Sequence, residues 1–196
     1  MTPTVELRSA RREGGVLGVV LCGGMSSRMG QDKGLIEREG ICWALRMGRK
    51  LSPLGLQVIY SIRLEQASAY SFAIPEGLFI PDSIDRPGPL NGLVSVHRRF
   101  PERDLILLGC DLQDLDADTI GEVIGVYRSE PGAECYVYRE GKLAQPFCGV
   151  YTARGLQKAF SRIGADRSLQ GLIRRMDVRY LELTRRNAFQ NYNSLP

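Results

Sequence analysis

Short apolar runs alternate with longer amphipathic segments along this chain of 196 residues, and that alternation limits the folds open to it. The runs are rich in β-branched, leucine and aromatic residues, as buried strands are. They cover residues 16–21, 57–61, 77–80, 104–108, 134–138 and 178–183. Helix-like segments cover residues 41–51, 90–99, 117–128, 152–161 and 169–176. Strands separated by helices of this length predict an α/β fold with a mostly parallel central sheet and helices on both faces.

A short turn predicts one reversal within the sheet. The residues EGK at 140–142 separate ECYVYR from LAQPFCGVY, and a glycine-containing turn between two such runs is typical of a β-hairpin. The chain is long enough for one domain with its own core. We therefore expect a flexible N-terminal arm over residues 1–15 and a single domain over residues 16–196, with an antiparallel hairpin added to the parallel strands.

Composition and charge narrow the class of protein further. Hydrophobic residues make up 43% of the chain, but no apolar run approaches the roughly 18 residues of a membrane helix, and the N-terminus lacks the apolar core of a secretory signal. The net charge of +4 is too small to indicate a nucleic-acid partner, although it suits a small phosphate-rich ligand. The five cysteines contain no CxxC pair, which argues against a disulfide framework or a zinc site. We expect a cytoplasmic protein that binds neither membranes nor nucleic acid.

The stretch LCGGMSSRMGQDKGL, residues 21–35, begins at the end of the first apolar run. Gly23 and Gly24 allow backbone N–H groups to turn toward a ligand, and Arg28 and Lys33 supply positive charge for phosphate oxygens. The stretch contains neither the GK[ST] of a Walker A loop nor the GxGxxG dinucleotide fingerprint. Its position after a strand favours an anion cradle over the alternative, an ordinary glycine-rich loop.

A second group of polar residues follows the run at 104–108, in LILLGCDLQDL. Asp111 is the first acidic residue beyond that predicted strand, and a carboxylate held there can coordinate a Mg²⁺ ion that bridges two phosphates. The alternative is that an acidic residue only caps the following helix, and we prefer this interpretation for Asp114 and Asp116. Asp111 differs from them because it directly abuts the buried run.

A third polar stretch is IPDSIDRPGPLNGL, residues 80–93. Its prolines and glycines predict a rigid loop that enters a helix at about Leu90. Asp82 and Asp85 offer carboxylates, and Asn91 offers an amide. A structural turn and a ligand-binding loop fit this stretch equally well.

The remaining candidates are the end of the chain and its few nucleophiles. NYNS near the C-terminus offers the polar side chains of Asn191 and Asn193, although a disordered tail is the default there. His97 is the single histidine and lies in a helical stretch, so we expect a surface residue and exclude a Ser-His-Asp triad or a zinc hydrolase site. The cysteines lie in or beside apolar segments, where structural thiols are expected. They are Cys22, Cys42, Cys110, Cys135 and Cys148.

In chain order these stretches resemble the molybdenum cofactor guanylyltransferase family, whose members have a Rossmann-like nucleotidyltransferase fold. The resemblance rests on VVLCGGMSSRMGQDKGL, PDSIDRPGPLNGL, LLGCDLQDL, QPFCGVY and NYNS, which together span almost the whole predicted domain. RMG followed by DK, together with GPLxG, favours this family over related enzymes that make CDP-sugar-alcohols or sugar nucleotides. The resemblance implies Mg²⁺-dependent transfer of GMP from GTP to molybdopterin, with release of pyrophosphate and formation of molybdopterin guanine dinucleotide.

The same resemblance implies roles for individual residues. Asp111 would hold Mg²⁺, Arg28 would face the phosphates, and Lys33 would act with them as the third catalytic residue. The implied nucleotide contacts are Leu21, Cys22, Gly23, Gly24, Lys33, Asp82 and Asp111. Three features depart from the family pattern: Cys22 replaces an alanine, Gln113 replaces the proline of CDxP, and the chain ends in NSLP before the usual acidic residue.

Two alternative functions stay open at this point. A related molybdopterin cytidylyltransferase would share the fold and the chemistry but use CTP. A chaperone would bind GTP and molybdopterin without turnover. The resemblance also suggests acceptor molybdoenzymes or their chaperones as candidate partners.

Overall fold

The computed structural model describes residues 15–22, 32–83, 88–161, 168–190 and 192. The strands within these ranges are β1 Leu17–Leu21, β2 Glu37–Arg38, β3 Ile41–Cys42, β4 Gln57–Ile62, β5 Leu78–Pro81, β6 Leu105–Gly109, β7 Cys135–Glu140, β8 Leu143–Tyr151 and β9 Val178–Glu182. The α-helices are α1 Trp43–Leu51, α2 Ala67–Ala73, α3 Pro89–Arg99, α4 Ala117–Ser129, α5 Ala153–Phe160 and α6 Leu169–Ile173. Short 3-10 helices cover Lys33–Leu35, Ser52–Leu54, Leu64–Gln66 and Arg186–Phe189. Most of the predicted arm, residues 1–14, lies outside the described residues.

One seven-stranded sheet organises the described residues, with the strand order β5-β4-β1-β6-β8-β7-β9. Strands β5, β4, β1 and β6 are parallel to one another, and β9 is parallel to β7. Strand β8 is antiparallel to both β6 and β7, and the β7–β8 hairpin turns at the predicted EGK residues. The expected mostly parallel sheet with an antiparallel hairpin is therefore confirmed, and the reversed strand lies inside the sheet.

Helices cover both faces of this sheet, as the sequence predicted. Helices α1 and α4 pack on one face, in a cluster that includes Val20 of β1. Helices α3, α5 and α6 pack on the other face, in a cluster that includes Val19 and Leu21. Successive side chains of a strand point to opposite faces, so one short apolar run contributes to both halves of the core.

The first predicted helix begins later than the apolar spacing indicated. Ile41 and Cys42 pair with Glu37 and Arg38 in a separate two-stranded antiparallel ladder, and α1 starts only at Trp43. Helix α2 and the ladder were absent from the sequence prediction. Both are short and lie between the longer elements, where a helical or alternating pattern has too few residues to be distinctive.

His97 is buried, and the expectation of a surface residue was wrong. The residue has 6% of its surface exposed, and its ring packs edge-on against Phe160, with the ring centroids 5.4 Å apart. Burial lowers the pKa of His97 below its usual value, so the neutral ring is favoured. Separately, none of the helices within the described ranges is long and apolar enough to span a bilayer.

Candidate active site

The carboxyl ends of the parallel strands bring several of the predicted site residues that the structure describes to one edge of the sheet. Leu21, the last residue of β1, lies opposite Ser61 on β4 and Gly109 on β6. Beyond it, the N–H of Cys22 donates to the carbonyl of Ser61 at 2.9 Å, and the N–H of Cys110 donates to the carbonyl of Leu21 at 3.2 Å. We call this side of the sheet, beyond β1, β4, β5 and β6, the carboxyl edge. Ligands of open α/β sheets bind at such an edge.

Lys33 and Asp111 form an ion pair at the carboxyl edge, although 78 positions separate them in sequence. The Lys33 Nζ lies 3.4 Å from Oδ2 of Asp111, and the two side chains have 16% and 22% of their surface exposed. This partial burial keeps the pair less screened than a surface ion pair, while both groups still reach solvent. A cation and a hard oxygen donor thus face each other in a position open to a ligand.

Asp111 is held by its backbone as well as by its position after β6. The N–H of Tyr192 donates to the carbonyl oxygen of Asp111 at 3.2 Å. The hydroxyl of Tyr192 donates to Asp114, and its ring packs edge-on against Trp43 with the centroids 6.1 Å apart. Tyr192 therefore contacts the carboxyl edge through its backbone, its hydroxyl and its ring. Sequence reasoning missed this residue, although the NYNS motif that contains it was the available signal.

Asp82 follows β5 at the same edge, where its N–H donates to the carbonyl of Ile62 at 2.8 Å. Its carboxylate accepts from the hydroxyl of Ser61 at 3.1 Å. Burial raises the pKa of Asp82, and the Ser61 hydrogen bond and the charge of Arg63 oppose that shift only in part. Asp82 is thus a half-buried carboxyl group that takes up a proton more readily than an exposed aspartate.

A hydrogen-bonded group immediately precedes Lys33, and the sequence analysis assigned it no role. The carboxylate of Asp32 accepts from the N–H of Gly34 at 3.0 Å, from the hydroxyl of Tyr70 at 2.8 Å and from the side-chain amide of Gln66. We call Asp32, Gln66 and Tyr70 the Asp32 clamp. It fixes the start of the 3-10 helix that carries Lys33.

Gln113, which stands where the family pattern has proline, is buried and fully engaged. Its side-chain amide donates to the carbonyl of Cys110 at 2.6 Å, and its side-chain oxygen accepts from Nε of Arg46 at 3.2 Å. Its backbone carbonyl accepts from the ammonium of Lys50. These bonds join α1 to the loop that carries Asp111, so the departure from the family pattern supports the site region through hydrogen bonds.

The helix-cap interpretation holds for one of the two aspartates it covered. Asp116 is the N-cap of α4, since its carboxylate accepts from the N–H of Thr119 at 2.7 Å. Asp114 is not that cap, and its carboxylate accepts from the hydroxyl of Tyr192 instead. Asn91 lies buried in α3, where Ser95 donates to its side-chain oxygen at 3.4 Å.

All five cysteines are free and buried, as expected of structural thiols. Burial raises the pKa of Cys135 and Cys148, which disfavours the reactive thiolate. Several predicted site residues lie outside the described residues, namely Gly23, Gly24, Arg28, Asp85, Asn191 and Asn193.

The carboxyl edge suits an ion that needs few protein ligands. Among the described residues there is no cluster of three or more histidine, cysteine or acidic side chains that could hold a metal ion. Mg²⁺ keeps several of its waters and is commonly bound through one or two carboxylates plus phosphate oxygens. A single partly exposed carboxylate such as that of Asp111 fits this ion when a phosphate ligand supplies the other donors.

A mostly parallel sheet with a partly exposed ion pair at its carboxyl edge is typical of nucleotide-binding α/β enzymes. The family model of the MobA-like NTP transferase domain matches residues 18–180. The chain therefore belongs to the MobA-like NTP transferase family and is a nucleotidyltransferase. The family resemblance that the sequence motifs predicted is therefore confirmed.

Individual relatives agree with the family. A molybdenum cofactor guanylyltransferase from Pseudomonas putida is 28% identical over 181 residues, which cover 90% of this chain and 92% of the relative. A molybdenum cofactor biosynthesis bifunctional protein from Synechocystis is 30% identical over 143 residues, which cover 71% of this chain but only 40% of that longer protein.

Solved structures show the same fold. Molybdopterin-guanine dinucleotide biosynthesis protein A from Archaeoglobus fulgidus superposes with a TM-score of 0.74 at 19% identity, covering 92% of each chain. Rv0371C from Mycobacterium tuberculosis, in complex with manganese, superposes with a TM-score of 0.64 at 21% identity, covering 86% of this chain and 88% of that one.

Proposed function

We propose that this chain transfers GMP from GTP to molybdopterin in a Mg²⁺-dependent reaction that releases pyrophosphate and forms molybdopterin guanine dinucleotide. The observation that carries the proposal is the ion pair of Lys33 and Asp111 at the carboxyl edge, beside the end of β1. The names of the relatives support the choice of substrates. The five buried, free thiols suit a reducing compartment, so we place the reaction in the cytoplasm.

The proposed reaction joins two polyanions. The terminal phosphate of molybdopterin attacks the α-phosphorus of GTP and forms a new P–O bond, while the bond from that phosphorus to the bridging oxygen breaks and pyrophosphate leaves with the electron pair. A phosphate monoester is already an anion near neutral pH, so the attack needs no general base. The main obstacle is repulsion between the anions, and the protein must supply positive charge in fixed positions.

Lys33 and Asp111 divide that task. Asp111 would hold Mg²⁺ through a carboxylate oxygen, the type of donor this ion prefers. Mg²⁺ bound there would neutralise phosphate oxygens of GTP. The ammonium of Lys33, 3.4 Å from that carboxylate, is near enough to turn toward the same phosphates as charge develops on the leaving pyrophosphate. The other nucleotide contacts in this proposal are Leu21, Cys22, Gly23, Gly24 and Arg28.

Asp82 would recognise the base. A carboxylate can accept hydrogen bonds from the N1–H and the N2 amino group of guanine, whereas adenine offers no such pair of donors. The position of Asp82 at the end of β5, on the same edge as Asp111, supports this role. Asn191 and Asn193 flank Tyr192, which reaches Asp111, so we include their side chains as weaker candidates for ligand contact.

The experiment that tests the proposal compares Lys33→Ala and Asp111→Ala with the parent chain. Pyrophosphate release is measured with GTP, Mg²⁺ and molybdopterin. Removal of one preorganised charge typically costs on the order of 3 kcal/mol, or roughly a hundredfold in rate. We expect each variant to lose at least that much turnover while remaining folded by circular dichroism. Lys142→Ala, at the exposed turn of the hairpin, is the matched control and should keep the parental rate.

Three outcomes of the same assay discriminate the alternatives. Parental rates in both variants would remove Lys33 and Asp111 from catalysis. Faster pyrophosphate release with CTP than with GTP would identify a cytidylyltransferase instead. Tight binding of GTP without turnover, in the presence of molybdopterin, would identify a chaperone.

A further inference from the structure

In the Asp32 clamp, two buried side chains from a later part of the chain donate hydrogen bonds to one carboxylate. Gln66 and Tyr70 lie 34 and 38 positions beyond Asp32, and they have 6% and 0% of their surface exposed. The N-cap of a three-residue 3-10 helix needs only a local bond, which the N–H of Gly34 already provides. The two additional donors therefore exceed what the local turn requires.

The donors of the clamp are themselves fixed. The side-chain oxygen of Gln66 accepts from the N–H of Arg63 at 2.6 Å, which orients its amide toward Asp32. Tyr70 packs edge-on against Phe79, with the ring centroids 6.3 Å apart. Its hydroxyl lies so close to Gly34 that a Cβ added there would be 2.1 Å from the oxygen. Only glycine at position 34 leaves room for this hydroxyl, so the turn and the tyrosine are matched in shape.

Lys33 is the residue directly after the clamped aspartate. Its flexible side chain has four rotatable bonds, and its ammonium can face Asp111 reproducibly only if the backbone at its base is fixed. The clamp fixes that base from the β4–α2 side of the sheet, whereas Asp111 follows β6 on the other side of β1. The lysine therefore starts from one anchored element and reaches toward another.

We propose that Asp32, held by Gln66 and Tyr70, is a positioning residue that presents the Lys33 ammonium to the triphosphate beside Asp111. The inference rests on the proposed function, because it assigns Lys33 a phosphate to meet. Asp32 itself would touch no substrate. Its carboxylate is occupied by the three donors of the turn and the clamp, and it acts through the lysine.

A double-mutant cycle tests this role. Asp32→Ala is made in the parent chain and in Lys33→Ala, and kcat and KM for GTP are measured from pyrophosphate release with Mg²⁺ and molybdopterin. We expect Asp32→Ala to lower kcat/KM roughly tenfold or more in the parent, mostly through kcat, and less than about twofold when Lys33 is already absent. Asp32→Asn retains an acceptor and should recover part of the loss. An equal loss in both backgrounds would overturn the inference.

Tyr70→Phe keeps the test valid if Asp32→Ala fails to fold. This change leaves the carboxylate in place and removes only the 2.8 Å hydrogen bond from the tyrosine hydroxyl. The matched control is Tyr127→Phe, which removes a 2.6 Å bond from a tyrosine hydroxyl to Asp104. We expect only Tyr70→Phe to lower kcat/KM, by roughly threefold or more, at comparable loss of Tm. Equal kcat/KM in the two variants would overturn the inference.

Failure of the proposed function has a different signature. If the parent chain releases no pyrophosphate from GTP, CTP or ATP, the proposed function and the positioning role are both lost. If the parent and Lys33→Ala differ as expected but neither Asp32 nor Tyr70 is coupled to the lysine, the positioning role alone is lost.

Discussion

Both edges of the sheet contain a hydrogen bond from a tyrosine hydroxyl to an aspartate, but the bond has a different role at each edge. At the carboxyl edge, the hydroxyl of Tyr70 donates to Asp32 beside the Lys33 ion pair. We call the opposite side of the sheet, where β6 and β7 begin, the amino edge. There the hydroxyl of Tyr127 donates to one oxygen of Asp104, and the N–H of Ala153 donates to the other at 2.7 Å. There the carboxylate joins α4 to the start of α5.

Two carboxylates of the amino edge, those of Asp104 and Glu134, accept short hydrogen bonds from the scaffold. Glu134 accepts from Lys158 at 2.7 Å and from the N–H of Asp177 at 2.9 Å, much as Asp104 accepts from its two donors. Asp111 differs, since its carboxylate meets Lys33 at 3.4 Å and remains partly exposed. Carboxylates that the scaffold satisfies contribute to stability, whereas one with a loose, open contact can exchange that contact for a ligand.

The largest expected effect separates the two edges directly. Asp111→Ala should reduce turnover roughly a hundredfold but lower Tm by only about 2–4 °C, because both partners of the ion pair it removes still reach solvent. Asp104→Ala should keep its turnover but lose more stability, since it leaves two donors without their acceptor and costs about 3 kcal/mol, or roughly 6–12 °C in Tm. Differential scanning calorimetry and pyrophosphate release measure both quantities. Loss of turnover in folded Asp104→Ala, with Asp111→Ala fully active, would reverse the assignment of the edges.

A smaller effect concerns base selection at the carboxyl edge. Asp82→Asn should reduce the preference for GTP over ATP in kcat/KM by roughly tenfold, because a neutral amide cannot accept both guanine hydrogen bonds. Burial raises the pKa of Asp82, so acidification should protonate it earlier than an exposed aspartate and should weaken the preference in the parent chain.

The variant itself provides the control for that pH effect. Asp82→Asn has no titrating group at this position. The ratio of its kcat/KM for GTP to its kcat/KM for ATP should therefore not fall on acidification. An unchanged preference in the variant at neutral pH would remove Asp82 from base recognition.

The sequence predicted those features that depend on neighbouring residues. Apolar runs located β1 and β6, and the rule that ligands bind at the carboxyl ends of parallel strands selected Asp111. The Asp32 clamp and the contact of Tyr192 with Asp111 could not be predicted this way. They join residues 34 to 81 positions apart, and the pairing depends on how helix α2 and Tyr192 pack against the rest of the fold. His97 was misjudged for the same reason, since its burial depends on Phe160 of another helix.

The smallest effect tests whether the amino edge contributes only stability. The ammonium of Lys158, followed by the N–H of Asp177, holds the pKa of Glu134 below its usual value. A carboxyl group with a lowered pKa stabilises the folded state above its unfolded pKa of about 4.3, and the contribution is lost as pH falls through the folded value. Urea unfolding should therefore show Glu134→Gln less stable by about 1 kcal/mol at pH 7, with the gap closing below about pH 4. Glu102→Gln, at an exposed position, should match the parent throughout. A gap for Glu134→Gln that persists unchanged in acid, or a loss of turnover at neutral pH in the folded variant, would show that the amino edge does more than hold the fold together.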